Sequence, residues 1–89
     1  MRQSYLEVTF RHGRPLAAYY YLVREPGDRV HHSERTEHGI VIDFAADGRP
    51  LGLELTAPAA ITVEAVNEVL NRLGQPPVAA DDLAPLAAA

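Results

Sequence analysis

The stretch Gly39-Ile40-Val41-Ile42-Asp43-Phe44-Ala45-Ala46-Asp47-Gly48-Arg49-Pro50-Leu51-Gly52-Leu53-Glu54-Leu55-Thr56 decides the fold. Two apolar, β-favouring runs flank Asp47-Gly48, the strongest short-range signal for a β-hairpin. A two-residue turn at Asp47-Gly48 pairs Phe44 with Leu51, Ile42 with Leu53 and Ile40 with Leu55. Those six residues then share one face, while Val41, Asp43, Gly52 and Glu54 share the other. A three-residue loop slips the pairing by one, sets Gly52 opposite Ile42 and undoes the match.

Upstream of the hairpin, Tyr5 to Phe10 alternates, with Leu6, Val8 and Phe10 on one face and Tyr5, Glu7 and Thr9 on the other. That is the pattern of a half-buried strand. Arg11-His12-Gly13-Arg14 reads as a turn, and Leu16 to Val23 as a second strand rich in residues suited to a pleated surface. A helix over 16–23 is the alternative, because Leu16, Ala17 and Ala18 are good helix formers. Pro26-Gly27 marks another turn. Val30 to Glu37 is polar and alternating, as in a strand at a sheet edge where charge deters aggregation. With every connection short, five antiparallel strands in meander-like order follow.

Downstream, a helix is expected over 62–73. Thr62 is its N-cap, and Val63, Val66, Val69, Leu70 and Leu73 form one apolar stripe. Glu64 in the first turn and Arg72 in the last suit the helix dipole, and Gly74 followed by Pro76-Pro77 stops it. Leu83 and Leu86 can dock a short turn beyond, with the last alanines frayed. The expected architecture is α+β: a five-stranded antiparallel sheet with one C-terminal helix on its apolar face. Residues 1–78 make the single domain and 79–89 a partly disordered tail.

Composition narrows the function classes. The chain has 89 residues, no cysteine and a net charge of −4. A domain this small buries a marginal core, and with disulfides absent, homodimerisation is the expected way to bury more. Every basic residue apart from histidine is arginine, which with the abundant alanine and proline reads as the codon bias of a GC-rich, bacterial genome. Residues 1–38 sum to +1 and residues 39–89 to −5, a poor match to a phosphate backbone, so nucleic acid is not an expected partner. No apolar run has the length of a membrane span, and the first residues lack a signal-peptide core, so a cytoplasmic location is expected.

Three groups of side chains are candidates for chemistry. Asp43 and Glu54 are diagonal neighbours in the hairpin register, with Gly52 opposite Asp43. Two carboxylates so placed can raise one pKa or hold a hard cation, and Gly52 leaves room for a ligand or a neighbouring side chain. The plainer reading has Asp43 bonded to nearby backbone and Glu54 to arginine or solvent. His32, Glu34 and His38 are the metal candidates, since imidazole with carboxylate suits Zn²⁺ or Ni²⁺. An exposed polar strand explains them as well, and neither a metal nor an organic cofactor is expected. Tyr19, Tyr20 and Tyr21 divide between two faces of a strand, one for the core and one for an interface. The chain has no phosphate-binding glycine loop, no nucleophile elbow, no cysteine nucleophile and no helix-turn-helix pair, so an enzyme is not expected.

Two segments, Arg35-Thr36-Glu37-His38-Gly39-Ile40-Val41-Ile42-Asp43-Phe44 and Asp47-Gly48-Arg49-Pro50-Leu51-Gly52-Leu53-Glu54-Leu55, give the chain a family likeness. Over about residues 5–57 it resembles the bacterial family called domain of unknown function 2283. The shared signature is a hydrophobic strand ending in Asp-aromatic, an Asp-Gly turn and a Gly-hydrophobic-Glu-hydrophobic return strand. Asp43, Gly48, Gly52 and Glu54 are its distinctive positions. The family's early acidic residues are replaced here by Arg14, Pro15, Leu16 and Ala17. The resemblance implies a small β-rich fold with no established activity, and an antitoxin-like role as the small partner in a two-protein system. Function is therefore expected to lie in protein interaction; the alternative is a small-molecule or metal-binding protein, or a minor enzyme, using Asp43 and Glu54.

Overall fold

The computed structural model describes residues 3–87. Strands β1 (Tyr5–Arg11), β2 (Arg14–Tyr21), β3 (His32–Arg35), β4 (Ile40–Phe44) and β5 (Pro50–Leu55) form one antiparallel sheet. Helix α1 (Val63–Arg72) follows, between a 3-10 turn at Pro58–Ala60 and a 3-10 helix at Ala80–Ala87. The α+β class is the expected one. No helix among the described residues is long and apolar enough to cross a membrane.

The sheet order is β1-β2-β5-β4-β3. Three of its four pairings join consecutive strands, as in a meander. The fourth sets β5 beside β2, so the chain crosses after β2 to start again at the far edge. The physical reason is burial: β5 is apolar at Leu51, Leu53 and Leu55 and takes the centre, whereas the exposed His-Ser-Glu-Arg of β3 takes an edge. The polar strand is thus where charge predicts it, though shorter than 30–37. Residues 14–21 are strand rather than helix.

The hairpin register holds where it matters and differs at the turn. Ile40 pairs Leu55, Ile42 pairs Leu53 and Asp43 pairs Gly52, but Phe44 pairs Pro50, with a register shift beside it. The Gly48 N–H donates to the Ala45 carbonyl and the Ala45 N–H to the Arg49 carbonyl, closing a three-residue loop. Gly48, at φ +91°, supplies the left-handed residue such a loop needs. That loop alone would slip the pairing, and Leu51 corrects it by bulging out of the ladder. The bulged carbonyl accepts from the Leu22 N–H and from Arg24 Nε, both at 3.1 Å. A two-residue turn does occur, but between β1 and β2, where His12 and Gly13 both have positive φ.

Among the described residues, helical elements cover one face of the sheet and not the other. Leu6, Val8, Ala18, Tyr20, Leu22, Ile40, Ile42, Phe44, Leu53 and Leu55 lie on the core side, in one cluster with Val66, Val69 and Leu70 of α1. Val78, Leu83 and Leu86 complete that core from beyond the helix. Helix α1 is bounded as its sequence predicts: Thr62 Oγ1 accepts from the Ala65 N–H, and a Schellman pair (Gln75 N–H to Leu70, Gly74 N–H to Asn71) closes its end. Asn67 then clamps the following segment, bonding both the N–H and the carbonyl of Val78. Hence the segment 80–87 lies folded against the core through Leu83 and Leu86. Of the terminal alanines expected to fray, 88 and 89 lie outside the described residues.

Candidate functional site: the uncovered face of the sheet

Strand periodicity sends residues Tyr5 and Glu7 of β1, Tyr19 and Tyr21 of β2, Gly52 and Glu54 of β5, Val41 and Asp43 of β4, and Ser33 and Arg35 of β3 to the face opposite the helix. Two of the sequence-predicted groups therefore meet. The placement of β5 beside β2 sets Tyr19 next to Glu54 and Tyr21 next to Gly52.

Asp43 is the buried ionisable residue of this face, at 6% exposure. Both its oxygens accept hydrogen bonds from side chains: Oδ2 from the Tyr19 hydroxyl at 2.8 Å, and Oδ1 from the Ser33 hydroxyl by a short bond. Tyr19 in turn accepts from Arg24 Nη2 at 3.0 Å. Arg24 lies over the rings of Tyr19 and Tyr21, 5.7 and 5.1 Å from their centroids. A chain of charge-assisted bonds thus runs from Arg24 through Tyr19 to Asp43. Burial, the bond to Asp43 and the Asp43 charge all push the Tyr19 phenol well above its ordinary value, so it stays a neutral donor.

The space above Gly52 is filled by Tyr19. A Cβ at position 52 would clash with the Cε1, Cζ and hydroxyl of Tyr19. Gly52→Ala therefore forces the ring to swing out, which breaks its bond to Asp43 and strands a buried acceptor. The expected cost is about 1–3 kcal/mol in urea denaturation, and much of it should vanish when Gly52→Ala is made in a Tyr19→Ala background.

Glu54 lies on the same face, exposed but beside Asp43. Desolvation first, and then the Asp43 charge, push its carboxyl above the usual value. A carboxyl raised in the folded state contributes stability that is complete below the ordinary glutamate pKa and lost as pH climbs through the raised value. At neutral pH ionised Glu54 is thus a small net cost, limited by solvent screening. Glu54→Gln should gain up to about 1 kcal/mol at pH 7 and less at pH 4, read from denaturation midpoints at the two pH values.

Beyond Asp43 the face is aromatic. Tyr5 stacks on Tyr21 with centroids 4.5 Å apart and planes 14° apart, and Tyr21 meets Tyr19 at 4.6 Å. Tyr20 points the other way and packs against the core. Arg24 and Ser33 are the members that sequence reasoning missed. Arg24 sits beyond the end of β2, just ahead of the Pro26-Gly27 turn, and its sole signal is the row of tyrosines preceding it.

The histidines gather elsewhere. His32 and Glu34 share the helix-side face of edge strand β3, 3.5 Å apart, with His32 stacked on Phe44 at 4.9 Å. His38 instead meets Glu68 of α1 at 2.8 Å. Glu37, His38 and Glu68 are close enough together to share a cation, but Arg72 already bridges the two glutamates at 2.9 Å each. The arrangement is an exposed ion-pair network joining the 36–39 turn to the helix.

No protein-family model, no curated protein and no solved structure matches the chain, so the geometry of this face carries the functional reading.

Proposed function

We propose that the protein is a protein-interaction module whose uncovered sheet face receives a partner protein, with no covalent chemistry of its own. The single observation that carries this reading is the Tyr5–Tyr21–Tyr19 row under Arg24 on a sheet face that no helix of the described residues covers. Tyrosine and arginine are the residue types that dominate binding energy at protein interfaces. Here they are held by a bonded network, so little rotamer entropy remains to be lost on docking. Glu7, Glu54 and Arg35 mix both signs around the aromatic row, which suits a polypeptide better than a uniformly anionic ligand. An antitoxin-like role, as the small member of a two-protein pair, is one form of this function. A ligand site built on Asp43 and Glu54 has less support, since both Asp43 oxygens are engaged and Tyr19 fills the gap at Gly52.

The test is capture from the native host at native level, with Tyr21→Ser as the matched variant. Tyr21 is half-buried on the open face and outside the helix-side core. The wild type should recover one protein at stoichiometric yield, and Tyr21→Ser should lose it. Equal recovery by both chains, or no stoichiometric partner for either, contradicts the proposal.

A further inference from the structure

The two edges of the sheet are built differently. Edge strand β3 has four residues, all exposed, carrying His32, Glu34 and Arg35, the protection expected of a strand that must not pair further. Edge strand β1 has seven residues, Tyr-Leu-Glu-Val-Thr-Phe-Arg, with no proline, no lysine and no charge on its helix-side face. Its outer edge faces no strand among the described residues. Phe10 and Tyr5 are 47% and 44% exposed on its two faces.

We infer that β1 pairs with β1 of a second copy of this chain, antiparallel about Val8, joining two five-stranded sheets into one. Residue chemistry selects both the partner and the register. A two-fold axis at Val8 engages all seven residues and sets Val8 on Val8, Leu6 on Phe10, Glu7 on Thr9 and Tyr5 on Arg11 of the other copy. On the helix side every pair is then apolar, and Phe10 gains the cover that its own sheet does not give it. On the open face each Arg11 meets a tyrosine ring, a cation–π pairing, and lies diagonal to Glu7 of the other copy. An axis at Glu7 instead puts like charges directly opposite, and an axis at Thr9 leaves the strand's first two residues out of the pairing. The joined sheet also brings the two Tyr5–Tyr21–Tyr19 rows onto one continuous face. This deepens the interaction-module reading by naming one partner, and it rests on that reading only for what the enlarged face then does.

Sedimentation equilibrium and cross-linking on the full chain test the pairing. Because the chain has no cysteine, a thiol introduced by Val8→Cys can pair only with its own copy. The wild type should dimerise in the micromolar range, and Val8→Cys should join rapidly through a short thiol–thiol cross-linker while Glu34→Cys on the other edge does not. Phe10→Glu, at a half-exposed position that the monomer tolerates, should weaken the dimer by about 30-fold by setting a charge against Leu6 of the other copy. A wild type that stays monomeric at about 1 mM overturns the pairing. So does a dimer whose Val8→Cys form fails to cross-link, or one that survives Phe10→Glu and is lost in Tyr21→Ser. None of these outcomes decides whether the open face takes a partner protein, which the capture experiment reads separately.

Discussion

Leu53→Ala should unfold this protein at markedly lower denaturant, with a loss of about 3–4 kcal/mol. Leu53 lies on the central strand, is fully buried, and has Tyr20 and Ile42 as its cross-strand neighbours. Val66 and Leu70 of the helix belong to the same cluster. Strand neighbours on both sides and a helix above leave the backbone little freedom to collapse into the space vacated. A domain of this size holds roughly 5–10 kcal/mol in all, so one truncated leucine removes a large share. The measurement is urea denaturation at neutral pH, with the slope unchanged and the midpoint lowered. Leu16→Ala, at an exposed position near the β1–β2 turn, should stay within about 0.5 kcal/mol. A loss below about 1 kcal/mol for Leu53→Ala would place the core elsewhere.

Asp43→Ala is expected to cost about 2–3 kcal/mol, the second largest effect. Asp43 accepts from two hydroxyls, and both Tyr19 and Ser33 lose their acceptor when it goes. The cost is not the sum of two charged hydrogen bonds, because burying the carboxylate was itself expensive and alanine removes that penalty. Asp43→Asn keeps the volume and one acceptor, so about 1 kcal/mol is expected for it. The order Ala worse than Asn worse than wild type, measured by thermal and urea unfolding, is the signature of a structural carboxylate. Asp43→Asn unfolding like the wild type would mean that the network contributes nothing to stability.

These two residues also mark what the amino-acid order reveals and what it hides. The helix was legible because its signals are local: Thr62 caps, Gly74 terminates, and the valines recur at helical spacing. The register of Ile42 with Leu53 was legible because a one-residue slip would turn one strand's apolar side chains to solvent. The turn joining them was not, since Asp-Gly serves both a two-residue loop and a three-residue loop with a glycine bulge. What selects the second here is distant: Leu22 and Arg24 bond the bulged Leu51 carbonyl from beyond β2. Asp43 and Gly52 stood out as a pair, but Tyr19 and Arg24 reach them only because β5 lies beside β2, a long-range pairing that periodicity does not encode. His32 and His38 are close in sequence, yet β3 directs one onto Phe44 and the turn directs the other to Glu68.

On the proposed reading, the tyrosine face, and not the helical side, is the contact surface. Tyrosine-specific nitration, mapped residue by residue in the free chain and in the captured complex, tests it most directly. Tyr21 should be modified in the free chain and protected in the complex, while core-facing Tyr20 changes little between the two. Equal modification of Tyr21 in both states would contradict it and move the interface off this face.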